Sequence, residues 1–105
     1  MGYHLVRMAQ GPAWNDGLSR REQRGWDAHA AYLDRLADHG IVVLGGPVGA
    51  GDGTDAVLVV DAYDASAVRA LLAADPWTGT VLTIVSVEPW SIWLRAPAME
   101  GQLAS

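Results

Sequence analysis

The sequence contains no lysine, no cysteine and no phenylalanine. Each absence removes chemistry. Without lysine there is no Schiff base, no lysine general base and no phosphate-cradling lysine of the P-loop kind. Without cysteine there is no disulfide frame, no thiolate nucleophile and no cysteine-ligated zinc or iron–sulfur cluster. Positive charge is scarce as well. Seven arginines face twelve acids, for a net charge of −5, which argues against a nucleic-acid partner, because that affinity rests on a basic footprint. No apolar run approaches the roughly 20 residues that cross a bilayer. No basic-then-apolar leader pattern opens the chain. The expectation is a cytoplasmic protein with neither a membrane nor a nucleic acid as partner. What remains for chemistry is three histidines, the acids, the arginines and five tryptophans.

A chain of 105 residues, half of them apolar, suits one folded domain with a modest core. Residues 1–95 read as that domain and 96–105 as a flexible C-terminal tail. Residues 3–9 read as a strand and 10–18, rich in Gly, Pro, Asn and Asp, as a loop. From Ser19 to His39 the apolar period becomes helical. Trp26, Ala30, Leu33 and Ala37 fall on one face, with His29 and Leu36 beside them. Ser19 and Glu22 fit a capping box at its start, and Gly40 stops it. Strands follow over 41–48 and 56–63, joined by a hairpin connection at 49–54. Asp64 or Ser66 caps a second helix reaching about Ala74, broken by Asp75-Pro76-Trp77. A last strand covers 80–88.

The order β-α-β-β-α-β predicts an α+β, ferredoxin-like fold, an antiparallel sheet with both helices on one face. Ile41–Leu44, Val57–Val60 and Val81–Val85 are nearly continuous apolar runs, so the face without helices is apolar too. A second copy of the same face is the simplest cover, which predicts a homodimer.

His29 stands out among the candidate catalytic groups. It lies three residues after Trp26 and four before Leu33, on the inward or boundary side of its helix. Imidazole there suits general acid/base work; a half-buried histidine satisfied by one hydrogen bond is the plainer alternative. Asp75 reads either as a carboxylate that orients His29 or as a turn residue before proline. In this topology the two helices lie side by side, so the pair can meet in one cleft. His4 and His39 carry weaker signals. No His-x-His, HExxH or three-ligand spacing is present, which predicts no metal site. The glycines of 45–53 lie between two strands and lack a lysine, so they read as a hairpin and not as a phosphate cradle. Arg20, Arg21 and Arg24 read as a solvated face, with anion capture the alternative. Trp14, Trp77, Trp90 and Trp93 fall outside the regular elements, where indoles wall pockets or interfaces; replacement of the missing phenylalanines in the core is the competing reading.

The segment His29-Ala-Ala-Tyr-Leu-Asp-Arg-Leu, then Gly45-Gly46-Pro47, Asp75-Pro76-Trp77 and Val87-Glu-Pro89-Trp90, resembles the YCII-related domain family. The likeness runs from about Tyr3 to Trp90. It implies a dimeric α+β barrel and a His–Asp active site, carried by motif onto His29 and Asp75. It also implies cofactor-free proton transfer on small cyclic oxygenated or aromatic substrates, as in a dehydrochlorinase of chlorinated hydroxyquinol and in muconolactone isomerases. On this reading Trp77, Trp14, Gly46, Pro47 and Arg7 bind the substrate, and no cofactor is needed. A non-catalytic binding module and a cofactor-free oxygenase are the alternatives. The Trp14 loop and the residues after Trp90 lie outside what the resemblance supports.

Overall fold

The computed structural model describes residues 2–49 and 55–99. Four strands and two helices appear in chain order: β1 (Gly2–Gln10), α1 (Trp26–Asp38), β2 (Val42–Val48), β3 (Asp55–Ala62), α2 (Ala65–Ala73) and β4 (Leu82–Pro89), with short 3-10 turns at Arg20–Glu22 and Pro97–Met99. The sheet order is β2-β3-β1-β4 and every neighbouring pair is antiparallel. This is the expected ferredoxin-like α+β fold. Among the described residues no helix is long and apolar enough to cross a membrane. Residues 50–54 of the expected hairpin connection at 49–54, and 100–105 of the expected tail, lie outside the described residues.

Alternation along the strands sets the two faces of the sheet. On β1, His4, Val6 and Met8 are buried, and they pair across to Val60, Leu58 and Ala56 on β3. Val6, Met8, Leu58 and Val60 meet Leu36 of α1 and Val68 and Leu72 of α2 in one apolar core. Both helices therefore cover the same face. Tyr32 ties them together by donating its hydroxyl to the Leu71 carbonyl at 2.6 Å. The opposite face carries Tyr3, Leu5 and Arg7 of β1, Leu44 and Val48 of β2, and Val57 and Val59 of β3. Val59 is buried there between its register partners Leu5 and Leu44, whereas Leu44, Val48 and Val85 are exposed. Extra residues at Val43 and Val85 interrupt the edge ladders, and such bulges bend a strand and re-aim its side chains.

The first helix differs from the sequence expectation at its start. The Ser19 amide does bond the Glu22 carboxylate at 2.9 Å, but that contact closes the 3-10 turn Arg20–Glu22 and not the α-helix. The helix begins at Trp26 because Gly25 takes φ 81°, a left-handed conformation that breaks helical continuity and that glycine adopts most cheaply. Its other end is as expected. Gly40, at φ 73°, donates to the Ala37 carbonyl and Ile41 to that of Leu36, a Schellman closure. Asp64 caps α2 by accepting the Ala67 amide at 2.8 Å.

Candidate active site

His29 lies in the first turn of α1 and Asp75 just past the end of α2. Proline at 76 cannot continue the helix, so the chain turns there. The Asp75 amide donates to the Leu72 carbonyl, and its own carboxylate accepts the Trp77 amide at 2.9 Å. This local turn aims the other side of the carboxylate at α1. His29 Nδ1 lies 2.7 Å from Asp75 Oδ2 and 3.0 Å from Oδ1. Both residues are buried, Asp75 at 2 % exposure and His29 at 5 %. A carboxylate can only accept in this contact, so Nδ1 carries the proton and donates it. Nε2 is left at the opposite edge of the ring.

The imidazole is also held in its plane. Trp77 stacks on it with ring centroids 4.0 Å apart and planes 9° from parallel, and Trp26 lies against it at a tilt, centroids 5.7 Å away. Trp77 is fixed in turn by its indole N–H, which donates to the Arg24 carbonyl at 2.8 Å. Carboxylate and indoles together leave the histidine one orientation.

In front of His29 opens a cavity of about 530 Å³ between α1 and the β2–β3 side of the sheet. Trp26, Ala30, Leu33 and Ala37, the expected apolar stripe of α1, face this cavity, while the core takes His29 and Leu36. The floor is Met8, Val42, Leu58 and Leu82, and Arg20 and Arg21 add positive charge. His29 lines the cavity and Asp75 does not, and Nε2 is the ring nitrogen that the Asp75 contact leaves over. Among the described residues no three His, Asp or Glu side chains gather to hold a metal.

Of the expected substrate-binding residues, Gly46 and Pro47 line the cavity. Pro47 pairs with Ala56 on the helix side of the sheet; Gly46 pairs with Val57 on the other side, so it can offer only backbone. Three of the expected residues do not line the cavity. Trp77 is 1 % exposed and sits behind the imidazole instead of walling the cavity. Trp14 packs against the core beneath the Arg20 guanidinium, 5.4 Å from ring to Cζ, and reaches the cavity only through that arginine. Arg7 lies on the far face of the sheet, exposed and 3.8 Å from Glu88; its odd position on β1 turns it away from the helices, so it cannot serve this site. Sequence reasoning missed Gly45, which also lines the cavity and where any Cβ would press on Leu58. Trp90 and Trp93 are exposed.

A buried histidine held by a carboxylate, beside a largely apolar cavity, is the distinguishing feature of this α+β domain. The chain belongs to the YCII-related domain family: residues 6–91 match that family. Its fold is similar to that of 5-chloro-2-hydroxyhydroquinone dehydrochlorinase from Burkholderia phenoliruptrix AC1100, solved in complex with 2,5-dihydroxybenzoquinone; the two share 24 % identity at a TM-score of 0.60, over 91 % of this chain and 97 % of the other. No protein of curated function matches the sequence.

Proposed function

We propose that the protein is a cofactor-independent acid/base enzyme of the lyase or isomerase class, acting on a small cyclic oxygenated or aromatic substrate. The observation that carries this is the 2.7 Å contact from His29 Nδ1 to Asp75, made by a histidine that lines the cavity. With Nδ1 protonated and locked, Nε2 holds a lone pair and acts as the base. It takes a proton from a ring hydroxyl or an acidic ring carbon. The released electron pair forms a carbonyl or double bond. In a lyase the leaving group departs as an anion, with net loss of HX; in an isomerase the imidazolium returns the proton to another atom. The nascent imidazolium is paired with the Asp75 carboxylate, and the apolar walls keep water out.

The reading draws support from the similar fold of a dehydrochlorinase and from family membership. It includes a homodimer joined through the sheet face that carries Leu44, Val48 and Val85, since exposed apolar residues on a sheet call for cover. The test is chloride release from 5-chloro-2-hydroxyhydroquinone. His29→Gln is expected to abolish it, and Asp75→Asn to lower kcat by about 10²–10⁴-fold, both in folded protein. Full activity of a folded His29→Gln enzyme rejects the proposal, and so does a wild type inert to this and to lactone substrates.

A further inference from the structure

Arg20 is the least ordinary side chain at the cavity. Arginine seldom gives up water, because its charged head is costly to bury. Here the residue is only 6 % exposed and lines the same cavity as His29. The 3-10 turn Arg20–Glu22 holds its backbone, and the Trp14 ring supports its guanidinium from below, Cζ to centroid 5.4 Å. A cation over an indole is both stabilised and restrained. Arg21 stands beside it, exposed, its guanidinium 5.7 Å from the Trp26 ring. In a chain of net charge −5, two of only seven cations therefore line this cavity. One acid also lines it: Asp34, exposed and eight residues along α1 from Trp26, or about 12 Å along the helix axis.

We propose that Arg20 binds a negatively charged oxygen of the substrate, so that the cavity selects cyclic anions (carboxylates or ionised enols and phenols) over neutral compounds of the same shape. The inference rests on the cavity being the substrate site of the proposed acid/base enzyme. A guanidinium carries five donors in a planar fork, enough to serve a substrate oxygen along with protein acceptors. Charge-assisted hydrogen bonds from such a fork are among the strongest a site can offer. Asp34 repels an anion placed at its end, so the charged oxygen is seated toward Arg20 while the neutral part of the ring lies along Leu33, Val42 and Leu58. The substrate thereby enters in one orientation relative to His29.

The test is titration calorimetry at neutral pH with 2,5-dihydroxybenzoquinone, an acidic compound ionised in that range, and its neutral dimethyl ether. Wild-type protein is expected to prefer the anion by tenfold or more. Arg20→Gln removes that preference by weakening the anion alone, and Arg20→Lys, which keeps the charge but loses the fork, falls between. Equal affinity of the wild type for the two quinones, or no binding of the anion at millimolar concentration, overturns the proposal whether or not a variant folds. An Arg20→Gln protein with a cooperative melt that holds the anion as tightly as wild type overturns it too. Turnover separates this inference from the one beneath it. Charge preference with an inactive wild type rejects the acid/base enzyme and leaves Arg20 standing; activity without charge preference does the reverse.

Discussion

At the scale of single residues, the site depends on Trp77 as much as on the pair it supports. Its amide donates to Asp75, its ring stacks on His29, and its indole N–H ties the turn to the Arg24 carbonyl before α1. Trp77→Phe preserves the ring stack and the amide but loses the indole donor and some volume. It is expected to cost about 1–3 kcal/mol in chemical denaturation, with kcat largely retained. A cost near zero would mean that the Arg24 contact contributes nothing. Little of this role is legible in the sequence. Asp75-Pro76-Trp77 announces a turn, but a tryptophan after a helix break fits a pocket wall as well as the back of the His29 ring. The distinction lies in the Asp75 carboxylate, which accepts the amide two residues on and so turns the indole inward.

At the scale of elements, the segment before α1 is where local signals and final structure part. Ser19 and Glu22 make a real contact, but Gly25 at φ 81° ends that turn and α1 starts afresh. The hydrogen bond from the Ser19 backbone, and then that from its side chain, hold the Glu22 carboxyl below the usual carboxylate range. A carboxyl with a lowered folded pKa stabilises the protein above its unfolded pKa, and the contribution fades as pH falls through the folded value. Glu22→Gln is therefore expected to lower the melting temperature slightly at pH 7, with the gap closing in acid. A gap of constant size from pH 7 to pH 3 would rule out the carboxylate as its source. The turn also presents Arg20 to the cavity. From sequence, three arginines in five residues look like a solvated face, because nothing local reveals that Arg20 will be buried over the Trp14 ring.

At the scale of the whole molecule, two helices cover one face of a four-stranded sheet and leave Leu44, Val48 and Val85 exposed on the other. If that face joins two copies, a charge placed on it must be buried without a partner. Val85→Glu is expected to convert a dimer into a folded monomer, read by sedimentation velocity at micromolar concentration, with the melt still cooperative. A wild type that sediments as a monomer removes the homodimer from the proposed function.

The sequence by itself determined the element order and the apolar strands, and it offered His29 and Asp75 as a pair that could meet; the structure brings them to 2.7 Å. Strand alternation, helix period, Gly40, Asp64 and the Asp-Pro step are all local consequences of backbone sterics and hydrogen bonding. The lack of lysine and cysteine removed Schiff-base and thiolate chemistry and drew attention to histidine, the acids and arginine. Only the tertiary structure decided which apolar residues fill the core and which leave a space. The stripe Trp26, Ala30, Leu33 and Ala37 has the period of a core face, yet it lines the cavity, opposite a stretch of β2 where glycine at 45 withholds a side chain. The same enclosure brought Arg20 in and left Arg7 out. Facing direction follows from strand parity, but burial follows from what packs across the gap, and that depends on residues far away in the chain.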